Sequence, residues 1–169
     1  WPRRGGIIAL SLDSGDELIS VRKTDGERNL IIATREGMAV RFSEKDLRPM
    51  GRTARGVRGI RLKREGDSVV EMVVGREDIT LLTVTGKGYG KRTPVGDYRL
   101  INRGGSGVIN IKCTEKNGKV VAVKSVNDED ELMLISQKGI GIRVNAKDIS
   151  KIGRATQGVR IMRLNEGDK

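Results

Sequence analysis

Short apolar runs separated by turn residues recur along the whole chain. The runs are rich in Val, Ile and Leu and are bounded by Gly, Asp or Asn, a pattern typical of β-strands and tight turns. They predict strands at 7–12, 18–22, 30–34, 38–42, 57–62, 69–74, 79–85 and 89–93. None of them approaches the length of a membrane-spanning helix. The pattern therefore predicts an all-β fold.

The pattern also repeats with a period of 51 residues. The segments REGMAVRF, GKGYGKRT and QKGIGIRV align through Gly37, Gly88 and Gly139, which are 51 residues apart. A second set, GVRGIRL, GVINIKC and GVRIMRL, has the same spacing. We predict repeats at about 6–55, 56–106 and 107–157, with the start of a fourth at 158–169.

Four strands in a repeat of this length indicate the blades of a propeller-like architecture. The aligned glycines mark hairpin turns in which glycine supplies a positive φ. In the predicted strand that follows the link 43–56, Ile60 and Leu62 are predicted to face the core and Arg61 to face away from it. Cys113 occupies the Leu62 position of the next repeat, which predicts an inert buried thiol.

Composition points to a polyanionic partner. The chain has 33 Lys and Arg against 22 Asp and Glu, a formal net charge of +11. Nucleic acid is the leading partner for such a charge and an anionic membrane the second, but no amphipathic helix that could lie on a bilayer is predicted. The single cysteine is typical of a reducing compartment, which favours the cytoplasm.

The positive charge is concentrated and recurs with the period. Residues 43–64 carry eight basic and two acidic side chains. With only four aromatic residues, stacking on single strands is disfavoured, and backbone contact with double-stranded DNA is predicted. The candidate phosphate contacts are Arg41, Arg52, Arg55, Arg58, Arg61, Lys91, Arg92, Arg103, Lys112, Arg143, Arg154, Arg160 and Arg163. For any single arginine, an exposed strand face that keeps the protein soluble is an equally good explanation.

Catalytic chemistry finds no support in the residues. The chain has no histidine, so no histidine-based triad or zinc site can form, and its glycine-rich turns lack the Lys-Ser/Thr pair of a phosphate-binding loop. We expect no catalytic residue, metal or cofactor within this chain.

Several motifs resemble one known family. GMAVRF, MGRTARGVRGIRL, GYGKRTPVGDYR, GGSGVINIK and IGRATQGV are similar to the C-terminal domain of the bacterial DNA gyrase A protein, and the resemblance runs along essentially the whole chain. It implies a six-bladed β-pinwheel with strand exchange between blades, which wraps DNA around a basic rim so that the enzyme can introduce negative supercoils. It also implies that the partners are the rest of the gyrase A protein and the gyrase B protein, and that ATP and Mg²⁺ act elsewhere in that enzyme.

Two departures from the family pattern set further expectations. The family's Gln-Arg-Arg-Gly-Gly-Lys-Gly box is matched only by Arg3, Arg4, Gly5 and Gly6, so we expect the box to lie outside this chain. Three repeats cannot supply six blades, so we expect a fragment of the domain.

Two alternatives remain at this point. A topoisomerase IV C-terminal domain would share the blades and the DNA contact but serve decatenation. A protein-interaction propeller is the other, although the Trp-Asp signature is absent and aromatic anchors are few.

Overall fold

The computed structural model describes residues 5–168, in which all strands are short and the only helices are single 3-10 turns. The strands are β1 (Asn29–Thr34), β2 (Met38–Ser43), β3 (Val69–Gly75), β4 (Thr80–Thr85), β5 (Tyr89–Pro94), β6 (Val108–Ile109), β7 (Val120–Val126), β8 (Glu131–Ile135), β9 (Gly141–Asn145) and β10 (Val159–Arg160). The 3-10 turns are Glu44–Asp46, Val95–Asp97 and Ala146–Asp148. No helix within 5–168 is long and apolar enough to cross a membrane.

Each four-stranded sheet combines strands from three successive repeats. The first sheet has the order β3-β1-β2-β6, and the second has the order β7-β4-β5-β10. Every strand of the second sheet begins 51 residues after its counterpart in the first. A hairpin from one repeat therefore pairs with a strand of the next repeat and with a short strand of the one after. This confirms the strand exchange that the family resemblance implied.

The pairing register is the same in both sheets. Leu30 lies opposite Phe42 on one side and opposite Val74 on the other. One period later, Leu81 lies opposite Thr93 and Ser125. Both sheets also have a register shift at the end of the central strand. The third sheet contains β8 and β9 alone among the described residues.

The hydrophobic core lies between neighbouring sheets. Ile31 and Ala33 of the first sheet share a buried cluster with Leu81 and Val123 of the second sheet and with Tyr98, which follows β5. The strand β3 packs beside β7, so the two sheets meet along these strands. Burial of this cluster is the main force that holds one sheet against the next.

Three of the predicted strands are wrong. Residues 7–12 and 18–22 form no strand and are mostly exposed, and 57–62 is also irregular. Ile60 is buried as predicted, whereas Leu62 is 43% exposed. The physical reason is the strand exchange: such segments become strands only by pairing with the hairpin of an earlier repeat, and the described part of the chain contains no such hairpin for them. Cys113 is half-buried, at the margin of the core.

The turn glycines are confirmed by their backbone angles. Gly37 and Gly88 have φ of 83° and 77°. A Cβ atom on Gly37 would lie 2.2 Å from the carbonyl oxygen of Ile111, and one on Gly88 would lie 2.2 Å from that of Met162. Both positions therefore require glycine for conformation and for space. Arg3 and Arg4 of the incomplete box lie outside the described residues.

The Gly37→Ala substitution is expected to lower the free energy of unfolding by about 3 kcal/mol or more, because strain at positive φ adds to a clash with backbone. Gly66→Ala is the matched control: φ there is 71° but nothing lies within 4 Å of the added Cβ. It should cost only about 1 kcal/mol. Urea unfolding of both variants measures the difference, and equal losses would contradict the close approach.

Candidate nucleic-acid interface

The thirteen predicted phosphate contacts fall into three structural groups. Some are buried and bonded inside the protein, some are partly buried in the links between sheets, and the rest point into solvent. The groups differ in what they can offer a ligand, so we describe each in turn.

Arg41 and Arg92 are buried and connect one sheet to the next. The Arg41 Nη1 donates to the carbonyl oxygens of Val95 and Tyr98 at 3.3 and 3.2 Å, and its Nη2 pairs with Glu77. Arg92 repeats the arrangement one period later: its Nε donates to the carbonyl of Ile149, and its Nη1 lies 2.6 Å from Asp128 Oδ1.

This placement corrects the prediction for both arginines. Their side chains face the neighbouring unit and donate to its carbonyl and carboxylate oxygens, and the Arg92 side chain is 2% exposed. A guanidinium held in this way ties two sheets together and is not accessible to a phosphate.

Lys91 is also buried, so its prediction is likewise corrected. Its Nζ donates to the carbonyl oxygens of Gly153 and Arg154 at 2.7 and 2.5 Å and to Thr156 Oγ1 at 3.2 Å. Burial lowers the pKa of Lys91 from 10.5 to about 8, with a further contribution from the nearby Arg154 charge. This lysine anchors the last link of the chain.

Arg143 occupies the same repeat position as Arg41 and Arg92 but points into solvent. Its side chain is 66% exposed and pairs with Glu131 of the adjacent strand. The difference arises because the third sheet has no following sheet to receive this side chain among residues 5–168.

Arg103 and Arg154 are partly buried in equivalent positions of successive links. Arg103 donates to the carbonyl oxygens of Asp46 and Arg58, and Arg154 donates to that of Ile109. Arg154 also lies 6.0 Å from the centre of the Tyr98 ring. Both residues are partly exposed, and their side chains brace the links through these hydrogen bonds.

The remaining predicted residues are exposed. Arg160 donates to Tyr89 Oη and stacks over that ring, and Arg55 lies 3.3 Å from Asp13. The others make no ion pair with any residue of the described part of the chain, and they are Arg52, Arg58, Arg61, Lys112 and Arg163. We call the link segments that carry these five cations, together with Arg48 and Arg99, the basic links.

Backbone hydrogen bonds hold the basic links in the same way in successive repeats. The Arg61 N–H donates to the carbonyl of Gly105 at 2.9 Å, and the Lys112 N–H donates to that of Thr156 at 2.8 Å. Both donors and both acceptors are 51 residues apart. The two cations are therefore presented on equivalent, fixed backbone positions.

Sequence reasoning missed Arg48 and Arg99. Both are exposed, both lie in the links just after the 3-10 turns, and neither has an ion pair within the described ranges. Their separation of 51 residues is the signal that could have identified them.

Several acidic side chains outside the basic links are held by neighbouring cations or hydroxyl groups. Burial would raise the pKa of Glu71, but hydrogen bonds from Lys124 and Ser20 outweigh it and hold the pKa below its ordinary value. Hydrogen bonds from Arg92 and Lys151 lower the pKa of Asp128. No group of His, Cys, Asp or Glu that could hold a metal ion is found within 5–168.

Comparison with solved structures defines the class of domain. The chain matches a structure described as the DNA gyrase A C-terminal domain with a TM-score of 0.88 and 30% identity, covering 98% of this chain and 56% of that one. It also matches the crystal structure of the C-terminal domain of DNA topoisomerase IV with a TM-score of 0.82, covering 90% and 48% of the two chains. At 23% identity, that second match shows the fold alone. The fold is thus the β-propeller of topoisomerase C-terminal domains.

The chain belongs to the DNA gyrase C-terminal domain, beta-propeller family, whose model matches residues 2–25, 28–75, 80–127 and 130–169. It is 50% identical over 165 residues to the A subunit of DNA gyrase from Staphylococcus aureus (strain MRSA252). The match covers 96% of this chain and 18% of that relative, so the chain spans about a fifth of the relative's length. The matched segment 28–75 contains β1, β2 and β3, which are three of the four strands of the first sheet.

The Arg92→Ala substitution should lower the free energy of unfolding by about 2–3 kcal/mol, because it leaves a buried carbonyl without a donor and removes an inter-sheet tie. Arg143→Ala, at the same repeat position but exposed, should cost less than about 1 kcal/mol. Urea unfolding provides the comparison. If Arg92→Ala left stability unchanged but weakened DNA binding, Arg92 would be a phosphate contact and not an inter-sheet tie.

Lys91 should make stability depend on pH. The unfolded chain keeps this proton up to pH 10.5, whereas the folded protein loses it above about pH 8. Unfolding between these values takes up a proton, so the Lys91 contribution to stability rises with pH across this window and is lowest below about pH 8. The measurement is the difference in unfolding free energy between the parent chain and Lys91→Met at several pH values. A constant difference would show that the pKa is not lowered.

Proposed function

We propose that this chain binds double-stranded DNA through the basic links and bends the duplex along its rim, as part of a DNA gyrase that wraps DNA with a fixed handedness for ATP-dependent negative supercoiling. The observation that carries this proposal is the repetition of unpaired, exposed cations at equivalent positions, with Arg48 and Arg99 as one pair and Arg61 and Lys112 as another.

Unpaired exposed cations are what a phosphate backbone requires. A lysine or arginine already engaged with a carboxylate must give up that contact to bind a phosphate, whereas a free one exchanges only water and counterions. Because the cations repeat at equivalent backbone positions, one set of phosphate contacts follows another along the rim of the protein. A continuous polyanion matches such a series better than a small ligand does.

The aromatic side chains argue for duplex over single strands. Phe42, Tyr89 and Tyr98 are all buried, so no ring among residues 5–168 offers a face for base stacking. Within the same range, no helix or long ribbon projects from the links to enter a major groove. Binding should therefore depend on phosphates and show weak sequence preference.

Bending follows from the rigidity of the links. Bending a duplex by tens of degrees costs of order 1–6 kcal/mol, which several phosphate contacts can offset. The inter-sheet ties of Arg41 and Arg92 keep the contact sets at fixed spacing. A duplex that satisfies all of them must then curve with the protein.

The wider role is inferred from the relatives. Because the S. aureus relative is the A subunit of a DNA gyrase, we infer that the partners are the remainder of that gyrase A protein and the gyrase B protein, in the cytoplasm. ATP and Mg²⁺ would act in those parts, and this chain would contribute DNA contact and no catalytic residue.

DNA affinity should fall steeply with salt, with a slope of log K against log salt of roughly −5 for about six phosphate contacts. The triple variant Arg58→Ala, Arg61→Ala and Lys112→Ala should bind DNA more weakly, and the magnitude of its slope of log K against log salt should be smaller by about 2.7. A matched control removes three cations that are already paired with acids, through Arg28→Ala, Arg76→Ala and Lys119→Ala. Fluorescence anisotropy with a labelled duplex measures both. Equal effects of the two triple variants would mean that net charge alone, and not the basic links, attracts DNA.

Plasmid closure tests the bending separately from binding. A relaxed plasmid bound by the chain and then treated with a nicking-and-closing topoisomerase should show a shifted linking number. A steep salt slope without this shift would retain DNA binding and reject wrapping by this chain.

A further inference from the structure

Three polar side chains lie inside the mainly apolar interface between the first two sheets. They are Thr83 of β4, Tyr98 of the link after β5, and Asn110, which directly follows β6. All three are fully buried. The Tyr98 hydroxyl donates to Asn110 Oδ1 at 2.6 Å, and Asn110 Nδ2 donates to Thr83 Oγ1 at 3.0 Å. We call these residues the polar triad.

The polar triad is complete only where the two sheets meet. Asn110 reaches it from the end of β6, which completes the first sheet, whereas Thr83 and Tyr98 belong to the repeat that supplies the hairpin of the second sheet. Tyr98 shares the buried cluster of Ile31 and Val123, and solvent does not reach it. Burial raises the pKa of Tyr98, so the phenol keeps the proton that it donates. Removal of any one partner would therefore leave a buried polar group unsatisfied, which costs free energy.

The corresponding positions of the other repeats carry no polar side chain. One period earlier they are Ile32, Leu47 and Gly59, and one period later they are Leu134, Ile149 and Ile161. In the structure, Ile149 and Ile161 pack in an apolar cluster with Leu82. The polar triad therefore distinguishes the interface between the first two sheets from the interface that follows it.

Backbone pairing alone discriminates little between the segments that could complete the first sheet. The strand β6 makes only two pairs with β2, Met38 with Ile109 and Ala39 with Val108. The strand β10 makes the same two-residue pairing with β5 one period later. The segments around these strands, GVINIKC and GVRIMRL, are similar to each other and to GVRGIRL at 56–62. Side-chain contacts must therefore decide which segment joins which hairpin.

We propose that the polar triad selects the segment 107–113, and rejects its two relatives, as the strand that completes the first sheet. Among the three similar segments, this one alone has an amide side chain at the triad position, because the others have Gly59 and Ile161 there. An amide can accept a hydrogen bond from a phenol and donate one to a threonine hydroxyl at the same time. Glycine and isoleucine can do neither through their side chains. The inference does not rest on DNA binding.

Each wrong pairing leaves a buried polar group without a partner. If the segment that contains β10 joined the first hairpin, Ile161 would replace Asn110 and would offer no partner to Thr83 or Tyr98. If the segment that contains β6 joined the second hairpin, Asn110 would enter the apolar cluster that contains Ile149. The observed pairing is the one that satisfies all of these groups.

Disulfide trapping during refolding measures which segment joins the first hairpin. The reporter chain carries Met38→Cys, Ile109→Cys and Arg160→Cys in a Cys113→Ser background. Position 38 lies opposite position 109 in the correct pairing, and position 160 would take the place of position 109 if the segment that contains β10 were there instead. The chain is unfolded in urea and refolded under mild oxidation. Mass spectrometry of the linked peptides then gives the ratio of the wrong cross-link, 38 to 160, to the correct one, 38 to 109.

The exchange of Asn110→Ile and Ile161→Asn moves the amide from one segment to the other without changing the composition or the net charge. We expect it to raise the ratio of wrong to correct cross-link by about 10-fold or more, because the wrong segment now satisfies the buried hydroxyls. Val123→Ala is the matched control, since it removes buried volume from the same interface but leaves the polar triad intact. Its ratio should equal that of the parent reporter. An unchanged ratio in the exchange variant, or an equal rise in Val123→Ala, would overturn the proposal.

A variant without any polar group in the triad separates selection from stability. Thr83→Val, Tyr98→Phe and Asn110→Leu together keep the side-chain sizes nearly unchanged but remove every hydrogen bond of the triad. Replacement of all partners by apolar groups of similar shape is nearly neutral for stability, so the urea midpoint should stay close to that of the parent reporter. The ratio of wrong to correct cross-link should nevertheless rise by about 10-fold. A rise in this ratio supports selection whatever the midpoint, and an unchanged ratio would show that the triad only holds the two sheets together.

Discussion

The pairing of each hairpin with a strand from the following repeat is the interaction on which the rest of this structure depends. A two-stranded hairpin is marginal by itself in water, and three or more strands with a buried face are needed for a stable sheet. Here β3 completes the sheet of β1 and β2, and β7 completes that of β4 and β5. Because the completing strand belongs to the next repeat, no repeat can fold fully without its neighbour, and the core forms between sheets.

The same dependence decides what each arginine does. Arg92 and Arg143 occupy one position of the repeat, yet the first is buried against Ile149 and Asp128 and the second is exposed. Side-chain chemistry is identical in the two cases, so the difference comes from the presence or absence of a following sheet. Cations on the inner side become ties between sheets. Cations in the links, such as Arg61, remain in solvent because backbone bonds to the next link turn them outward.

The sequence correctly predicts the parts of the structure that are local or periodic. The spacing of 51 residues, the turn glycines and the strands β1 to β5 follow from patterns within a short window. It failed where burial depends on a distant partner. Residues 57–62 have the composition of a strand but no hairpin to join within the described residues. Lys91 is buried, although none of the residues next to it in the sequence indicates that its charge lies inside the protein. The exposed cations Arg48 and Arg99 were within reach of the periodicity, because they lie 51 residues apart in successive links.

Stability and the proposed DNA contact are therefore linked through the inter-sheet ties. A rim of cations can impose curvature on a duplex only if the protein resists deformation more strongly than the DNA does. Buried, charge-assisted hydrogen bonds of Arg41 and Arg92 to backbone carbonyls provide such resistance, because each fixes the following 3-10 turn relative to the preceding sheet. Loosening one tie would let the links move apart while all their charges remain. Affinity for short duplexes would then persist although the curvature imposed on longer DNA is lost, which separates the role of the inner arginines from that of the outer ones.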